Sequence, residues 1–129
     1  MSSLLLDSHT LLWFAWGDPK LSANAQALIE EPSLRKLVSV ATCWEITIKA
    51  GLGKIKLGVT SQEFLSRALA ITGFELLPIA LEHATFVEKL PPHHRDPFDR
   101  LLVAQALVEG LSIVSADALF DAYGARRCW

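Results

Sequence analysis

Leu4-Leu5-Leu6-Asp7 is a short apolar run that ends in a carboxylate just before a helix-like segment. The same arrangement recurs further along the chain, where Glu45, Asp99 and Asp117 each lie where an apolar run gives way to a helix-like segment. In a parallel sheet, residues at strand-to-helix turns gather along one edge. The repeated pattern therefore predicts an α/β fold with a mainly parallel sheet and four acids along one of its edges.

Strand-like and helix-like segments alternate along the whole chain. The predicted strands cover residues 4–6, 37–40, 74–77, 111–114 and 126–129. The predicted helices cover residues 9–16, 22–31, 42–51, 60–72, 80–90, 96–109 and 117–123. In the helix at 80–90, apolar residues recur at helical spacing, namely Leu81, Ala84, Val87 and Leu90.

Length and composition exclude several classes of protein. The chain has 129 residues, 51% hydrophobic and 20% charged, which fits one folded domain spanning residues 1–129. No apolar stretch approaches the ~18 residues of a membrane span. The first residues lack the features of a signal peptide, so we expect a cytoplasmic protein. With a formal net charge of −2, bulk charge does not attract nucleic acid, so local basic residues and a metal would have to do so.

Each acid also has an ordinary structural explanation. Carboxylates are favoured at helix N-termini, because they accept backbone N–H bonds and oppose the helix dipole. Glu45 completes a Thr-x-x-Glu capping box that begins at Thr42. Asp96 precedes a proline as an N-cap, and Asp7 and Asp117 could each cap the helix that follows. For any one acid taken alone, capping is the better interpretation.

The acids taken as a set favour a metal site. Glu63, which has the same capping-box context but stands alone, is assigned no chemistry. Converging carboxylates destabilise one another, and a hard divalent cation with oxygen ligands removes that penalty. Mg²⁺ suits such a site and leaves positions open for a substrate phosphate, while Mn²⁺ accepts similar ligands. One or two such ions would activate water for attack on a phosphodiester and stabilise the leaving oxygen.

Basic residues lie close to these acids in the sequence. Lys49 follows Glu45 by one helical turn, and Arg100 directly follows Asp99. The other basic residues near the acids are Lys54, Lys56, His93, His94 and Arg95. They predict phosphate contacts around the acidic edge. The structural alternative is a solvated face, or i,i+4 pairing such as that of Glu45 with Lys49.

Two further polar segments have open interpretations. His93 and His94 are adjacent, so they do not share a face of a helix or strand, and we predict no transition-metal site there. Ser115 lies two residues before Asp117. Its hydroxyl could bond a carboxylate or a water of the metal site, or it could cap the last short helix.

Five motifs, in a fixed order along the chain, resemble those of a known family. They are Leu5-Leu6-Asp7-Ser8-His9, Trp44-Glu45-Ile46-Thr47-Ile48-Lys49, the segment from Arg95-Asp96-Pro97-Phe98-Asp99-Arg100 to Ala106, Ser115-Ala116-Asp117, and the closing Trp129. In these motifs the chain resembles a PIN domain, most closely the VapC-type toxins of bacterial and archaeal toxin–antitoxin pairs. The resemblance covers nearly the whole chain.

The resemblance implies a three-layer α/β/α fold with a central, mainly parallel sheet of four to five strands. It implies a Mg²⁺- or Mn²⁺-dependent endoribonuclease whose acidic quartet is Asp7, Glu45, Asp99 and Asp117, with Asp96 as an additional acid. It also implies a homodimer and a small antitoxin that occludes the acidic pocket. RNA as substrate and the role of a toxin follow from the resemblance alone.

Other functions remain open from the residues themselves. The main alternative is a non-catalytic module whose acidic edge docks a basic partner peptide, with the acids serving as helix caps. Spacing alone also leaves open a DNA nuclease or a phosphatase. A small-molecule phosphohydrolase finds less support because no Asp-x-Asp follows the first strand, and a phospho-receiver finds less support because no Lys lies at the end of a late strand.

Overall fold

Five parallel strands form the central sheet of the protein. The computed structural model describes residues 3–129, apart from the side chains of residues 71 and 72. The strands are β1 (Ser3–Leu6), β2 (Arg35–Ser39), β3 (Glu75–Leu77), β4 (Ser112–Val114) and β5 (Arg127–Cys128). They lie in the order β3-β2-β1-β4-β5, and every neighbouring pair is parallel.

Helices cover both faces of this sheet. They are α1 (Ser8–Trp16), α2 (Ala23–Glu30), α3 (Val40–Gly51), α4 (Ser61–Thr72), α5 (Leu81–Phe86) and α6 (Pro97–Glu109). Two 3-10 segments, Val87–Lys89 and Ala118–Tyr123, follow α5 and β4. The predicted strands and helices are all present, with shifted ends.

The central strand β1 divides the core into two halves. Successive side chains of a strand point to opposite faces. Leu4 and Leu6 pack with buried residues of α1, α2, α3 and α4, whereas Leu5 packs with those of α6 and the 118–123 segment. All three leucines are fully buried. The chain therefore has the predicted three-layer α/β/α fold.

The path of the chain places two strand ends at a switch point. From β1 the chain proceeds outward through β2 to β3, then returns to the other side of β1 to form β4 and β5. The carboxyl ends of β1 and β4 therefore border the crevice where the strand order reverses. In open α/β sheets, ligands bind at this place.

The start of α3 differs from the prediction. Strand β2 ends at Ser39 rather than at residue 40, and the Ser39 hydroxyl caps the helix by accepting a bond from the Ala41 backbone N–H at 3.0 Å. The capping box predicted from Thr42 to Glu45 is therefore wrong, because both residues already lie inside the helix. The Thr42 hydroxyl is buried and has no hydrogen-bond partner among the described residues.

The inner face of α5 also differs from the simple periodic pattern. Leu81 is 80% exposed, and the side chain buried in its place is His83. His83 can be buried because both ring nitrogens have partners: the Ala80 backbone N–H donates to Nδ1 at 3.0 Å, and Nε2 lies 2.8 Å from Glu109. Within residues 3–129, no helix combines the length and the apolar character needed to cross a bilayer.

Candidate metal centre at the sheet edge

Asp7 lies where β1 meets α1 and is almost fully buried, with 6% exposure. Its Oδ1 atom accepts a bond from the Thr10 backbone N–H at 2.9 Å and so caps α1. Its Oδ2 atom accepts a bond from the Ser115 hydroxyl at 2.5 Å. Ser115 follows β4, and its hydroxyl oxygen accepts a bond from the Asp117 backbone N–H at 3.0 Å. The ends of β1 and β4 are thus joined through Asp7 and Ser115.

Glu45 reaches the same edge from the second turn of α3. It is 5% exposed and accepts a hydrogen bond from the Ser8 hydroxyl at the start of α1. Its other carboxylate oxygen lies 3.1 Å from the Lys49 ammonium, which is the i,i+4 pair considered from the sequence. Since Ser39 is the cap of α3, the Glu45 carboxylate is not used to cap a helix.

Asp99 is carried over the edge by the first turn of α6. Asp96 caps this helix by accepting bonds from the Phe98 and Asp99 backbone N–H groups at 2.8 and 3.3 Å. The Phe98 ring packs edge-on against Trp44 of α3, with ring centroids 5.4 Å apart. This contact fixes the start of α6 beside α3 and brings Asp99 towards Glu45.

The electrostatics of Asp99 show that the acids converge. Burial is the largest cause that raises its pKa from 3.8 to about 7, and the charge of Asp96 adds to the rise. Glu45 and Asp7 raise this pKa further, whereas His94 opposes the rise. Four carboxylates from three separate segments of the chain therefore share one electrostatic environment.

Asp117 is linked to Asp99 through His94. The Oδ1 atom of Asp117 caps the 118–123 segment by accepting a bond from the Leu119 backbone N–H at 3.0 Å. Its Oδ2 atom lies 3.0 Å from Nε2 of His94, and the same nitrogen lies 3.0 Å from Oδ2 of Asp99. One potential ligand atom from each of these three residues lies within 4.8 Å of the other two.

A family model of the PIN domain matches residues 4–125. The chain belongs to the PIN domain family. Proteins of this family are generally nucleases. No curated protein matches the chain.

Solved structures show the same fold as this PIN domain. DNA-bound VapBC from Salmonella typhimurium has 18% identity and a TM-score of 0.72, with 99% of this chain and 98% of that chain covered. VapBC2 from Rickettsia felis, bound to a promoter DNA fragment, has 14% identity and a TM-score of 0.71, with 98% and 97% covered. A toxin–antitoxin complex from Klebsiella pneumoniae has 18% identity and a TM-score of 0.61, with 88% and 86% covered.

The donor set of this PIN domain fits a hard divalent cation. The carboxylates offer only oxygen ligands, which Mg²⁺ and Mn²⁺ prefer. Asp7, Asp96 and Asp117 each use one oxygen in capping, whereas Glu45 and Asp99 are not caps. The structure therefore brings together the acids singled out in the sequence, and helix capping does not account for all of them.

His94 lies at the acidic edge, as the sequence predicted, but it contacts the carboxylates of Asp99 and Asp117. Both His93 and His94 lie in the loop before α6 and not in a regular helix or strand. There His94 is half-buried against the acids while His93 is exposed and packs on Tyr123. A helical or strand face is not defined in such a loop, so the sequence did not show which of the two histidines faces the acids.

Arg100 makes contacts of a different kind from the predicted phosphate contact. Its guanidinium donates to the backbone carbonyls of Pro91, Val87 and Leu90 at 3.0 to 3.2 Å. It also donates to the Tyr123 hydroxyl at 3.3 Å. A phosphate would have to compete with these bonds. The geometry makes Arg100 an anchor for the segment before α6.

Proposed function

We propose that this PIN domain, residues 1–129, is a divalent-metal-dependent endoribonuclease that hydrolyses RNA phosphodiester bonds as the toxin of a VapC-type toxin–antitoxin pair. It acts in the cytoplasm, as a homodimer held inactive by a small antitoxin. The observation that carries the nuclease proposal is the burial of Asp99 beside Asp96, Glu45 and Asp7: burial first, and then the charges of these acids, raise the pKa of Asp99 to about 7. The role of a toxin is supported by the structural neighbours, one of which is named as a toxin–antitoxin complex.

Mg²⁺ or Mn²⁺ would be held by Asp7, Asp99, Asp117 and Glu45, with Asp96 at the margin of the site. Held by these residues, such a cation would supply activation of the attacking water and stabilisation of the leaving phosphodiester oxygen. Carboxylates that repel in the metal-free protein gain a shared counter-charge on binding. The repulsion that Asp96, Glu45 and Asp7 exert on Asp99 would be relieved by the cation, and this relief would contribute to metal affinity.

The surrounding residues orient these carboxylates. Ser115 and the Thr10 backbone N–H each bond one oxygen of Asp7 and fix the plane of its carboxylate. Ser8 and Lys49 hold the two oxygens of Glu45 in the same way. Such outer contacts fix ligand orientation in metal sites and influence metal affinity. Exposed Lys54 and Lys56, beyond the end of α3, and exposed Arg95, in the loop before α6, are candidates for phosphate contacts.

The second candidate function is a binding module without turnover, which docks a basic peptide at the acidic edge. The capping bonds of Asp7, Asp96 and Asp117 favour it, because capping alone would explain those three acids. It leaves Glu45 and Asp99 without an explanation, since neither caps a helix. Turnover of RNA separates the two functions.

The test is cleavage of a mixed RNA pool by the purified, partner-free protein with Mg²⁺ or Mn²⁺, beside an EDTA control. Asp7→Asn is the informative variant, because asparagine keeps the oxygen that caps α1 while removing the charge. We expect cutting by the wild type, no cutting with EDTA, and loss of cutting in Asp7→Asn. Glu63→Gln removes an exposed acid remote from this edge in sequence and should cut like the wild type. Equal cutting by Asp7→Asn would refute the assignment, and a folded wild type that cuts no RNA would favour the docking module.

A further inference from the structure

The side chain of His94 is held at every polar atom. Its ring nitrogen Nδ1 accepts a bond from the Asp96 backbone N–H at 3.2 Å. Its Nε2 atom lies 3.0 Å from both Asp99 and Asp117. The backbone N–H of His94 donates to the Tyr123 hydroxyl at 2.7 Å. The ring is therefore fixed in position and in orientation beside the acidic edge.

The bond from Asp96 decides which ring nitrogen carries the proton. A backbone N–H can only donate, so Nδ1 must present a lone pair to it. The proton of the imidazole is then on Nε2, which faces the two carboxylates as a donor. A metal ligand would need a lone pair on Nε2 and a proton on Nδ1, where it would oppose the Asp96 N–H. The spacing of His94, Asp99 and Asp117 would suit a metal, but the hydrogen bonding makes His94 a donor.

We propose that His94 is a positioning residue of the metal site: its Nε2–H holds the carboxylates of Asp99 and Asp117 close together, so that a divalent cation meets them already in place, and it is not itself a ligand. This inference rests on the proposed function. The donor offsets part of the repulsion between the two acids in the metal-free protein. Loss of an outer partner of this kind typically weakens metal binding by ~10- to 100-fold.

The support behind His94 comes from residues that the nuclease chemistry does not otherwise use. Arg100 donates both to Pro91, in the same loop, and to Tyr123, whose hydroxyl accepts the His94 backbone N–H. The His94 ring also packs against Phe120, with centroids 6.1 Å apart. Arg100 and Tyr123 thus hold the loop that presents His94 to the acids.

His93 is a matched control beside His94. It is exposed, and its ring packs edge-on against Tyr123 with centroids 5.3 Å apart. Among the described residues, only His94 of this pair approaches the carboxylates of Asp99 and Asp117. Replacing either histidine removes the same chemical group from the same loop.

The test is Mn²⁺ titration of the full chain without RNA, followed by electron paramagnetic resonance. We expect Mn²⁺ affinity to fall ~10- to 100-fold in His94→Ala and to stay at the wild-type value in His93→Ala. His94→Gln should recover part of the loss, because its side-chain amide again offers an N–H donor. Equal Mn²⁺ affinity in His94→Ala and the wild type would overturn the inference.

A second measurement asks directly whether a ring nitrogen of His94 bonds the metal. Electron spin-echo spectra of bound Mn²⁺ should lack the coupling of a directly bonded imidazole nitrogen. A coupled nitrogen in the wild type that is lost in His94→Ala would make His94 a ligand and overturn the positioning role. A wild type that binds Mn²⁺ and cuts RNA while His94→Ala binds equally well defeats this inference alone. A wild type without affinity for Mn²⁺ defeats the proposed function and this inference with it.

Discussion

Asp99 shows what close carboxylates cost in the metal-free protein. Burial and the charges of Asp96, Glu45 and Asp7 raise its pKa from 3.8 to about 7. The folded protein therefore holds the Asp99 proton more tightly than the unfolded chain does. Stability is then highest when this group is protonated in both states, and it falls as the pH rises from about 4 to about 7.

Asp99→Asn should remove this loss of stability. An amide cannot ionise, so the free energy of unfolding of the metal-free variant should change less between about pH 4 and about pH 7 than that of the wild type. Thermal or urea unfolding across this range, with EDTA present, measures the difference. At pH values above about 7 the variant should be the more stable protein.

Glu63→Gln is the control for this comparison. Like Asp99, Glu63 lies in the first turn of a helix. Unlike Asp99, it is exposed and pairs with Arg67 at 3.6 Å instead of facing other acids. Its replacement should leave the pH dependence of unfolding as in the wild type. The same pH dependence in Asp99→Asn and in the wild type would show that the acids do not repel as described.

At the residue scale, the sequence predicted which acids meet but not how they are held. The rule that parallel strand ends share one edge was enough to group Asp7, Glu45 and Asp117, and α6 brings Asp99 to them. Their roles as ligands remain predictions. The contacts of His94 with Asp99 and Asp117 could not be predicted, because an irregular loop has no repeat from which a side-chain direction can be read.

At the element scale, helix starts were the least predictable feature. Ser39 and Thr42 are both good N-cap residues, and local preference does not choose between them. Pairing of β2 with β3, in which Ser39 lies opposite Leu77, extends the strand to Ser39 and leaves its hydroxyl free to cap α3. Because Ser39 caps α3, the Glu45 carboxylate is not used for capping. In α5, hydrogen bonds to both His83 nitrogens outweighed the apolar pattern.

Arg100 connects α6 to the segment before it, and this connection can be tested. Arg100→Lys keeps the charge but loses the planar guanidinium. The N–H groups of that guanidinium donate to Pro91, Val87, Leu90 and Tyr123. We expect the free energy of unfolding to fall by about 1–3 kcal/mol, measured by urea denaturation.

Arg95→Lys is the matched control, because Arg95 is an exposed arginine in the loop directly before α6. It should unfold like the wild type. Unchanged stability in Arg100→Lys together with weaker RNA binding would instead identify Arg100 as the phosphate contact predicted from the sequence.

At the scale of the whole molecule, alternation of strands and helices was sufficient to predict a parallel three-layer fold. The strand order β3-β2-β1-β4-β5 depends on pairings between distant segments, which no local pattern encodes. The two residues of β5 pair in parallel with β4, which completes a sheet of five parallel strands. This order places the ends of β1 and β4 side by side and so determines where the acids meet.

Metal binding should stabilise the whole fold. A ligand that binds only the folded state, at 100 times its Kd, adds about 2.7 kcal/mol to the free energy of unfolding. Mg²⁺ or Mn²⁺ should therefore raise the Tm of the wild type and of Glu63→Gln, and EDTA should reverse the rise. Asp99→Asn should gain much less. An equal gain in Asp99→Asn would place the bound cation elsewhere on the protein.

The most direct measurement is an anomalous difference map from crystals of the protein grown with Mn²⁺. A manganese peak should lie at the carboxyl ends of β1 and β4, within bonding distance of oxygen atoms of Asp7 or Asp99. Glu45 and Asp117 should bond the ion directly, through a water, or at a second peak. The absence of a peak between these acids in crystals soaked well above the measured Kd, or a peak only at another part of the surface, would contradict the account.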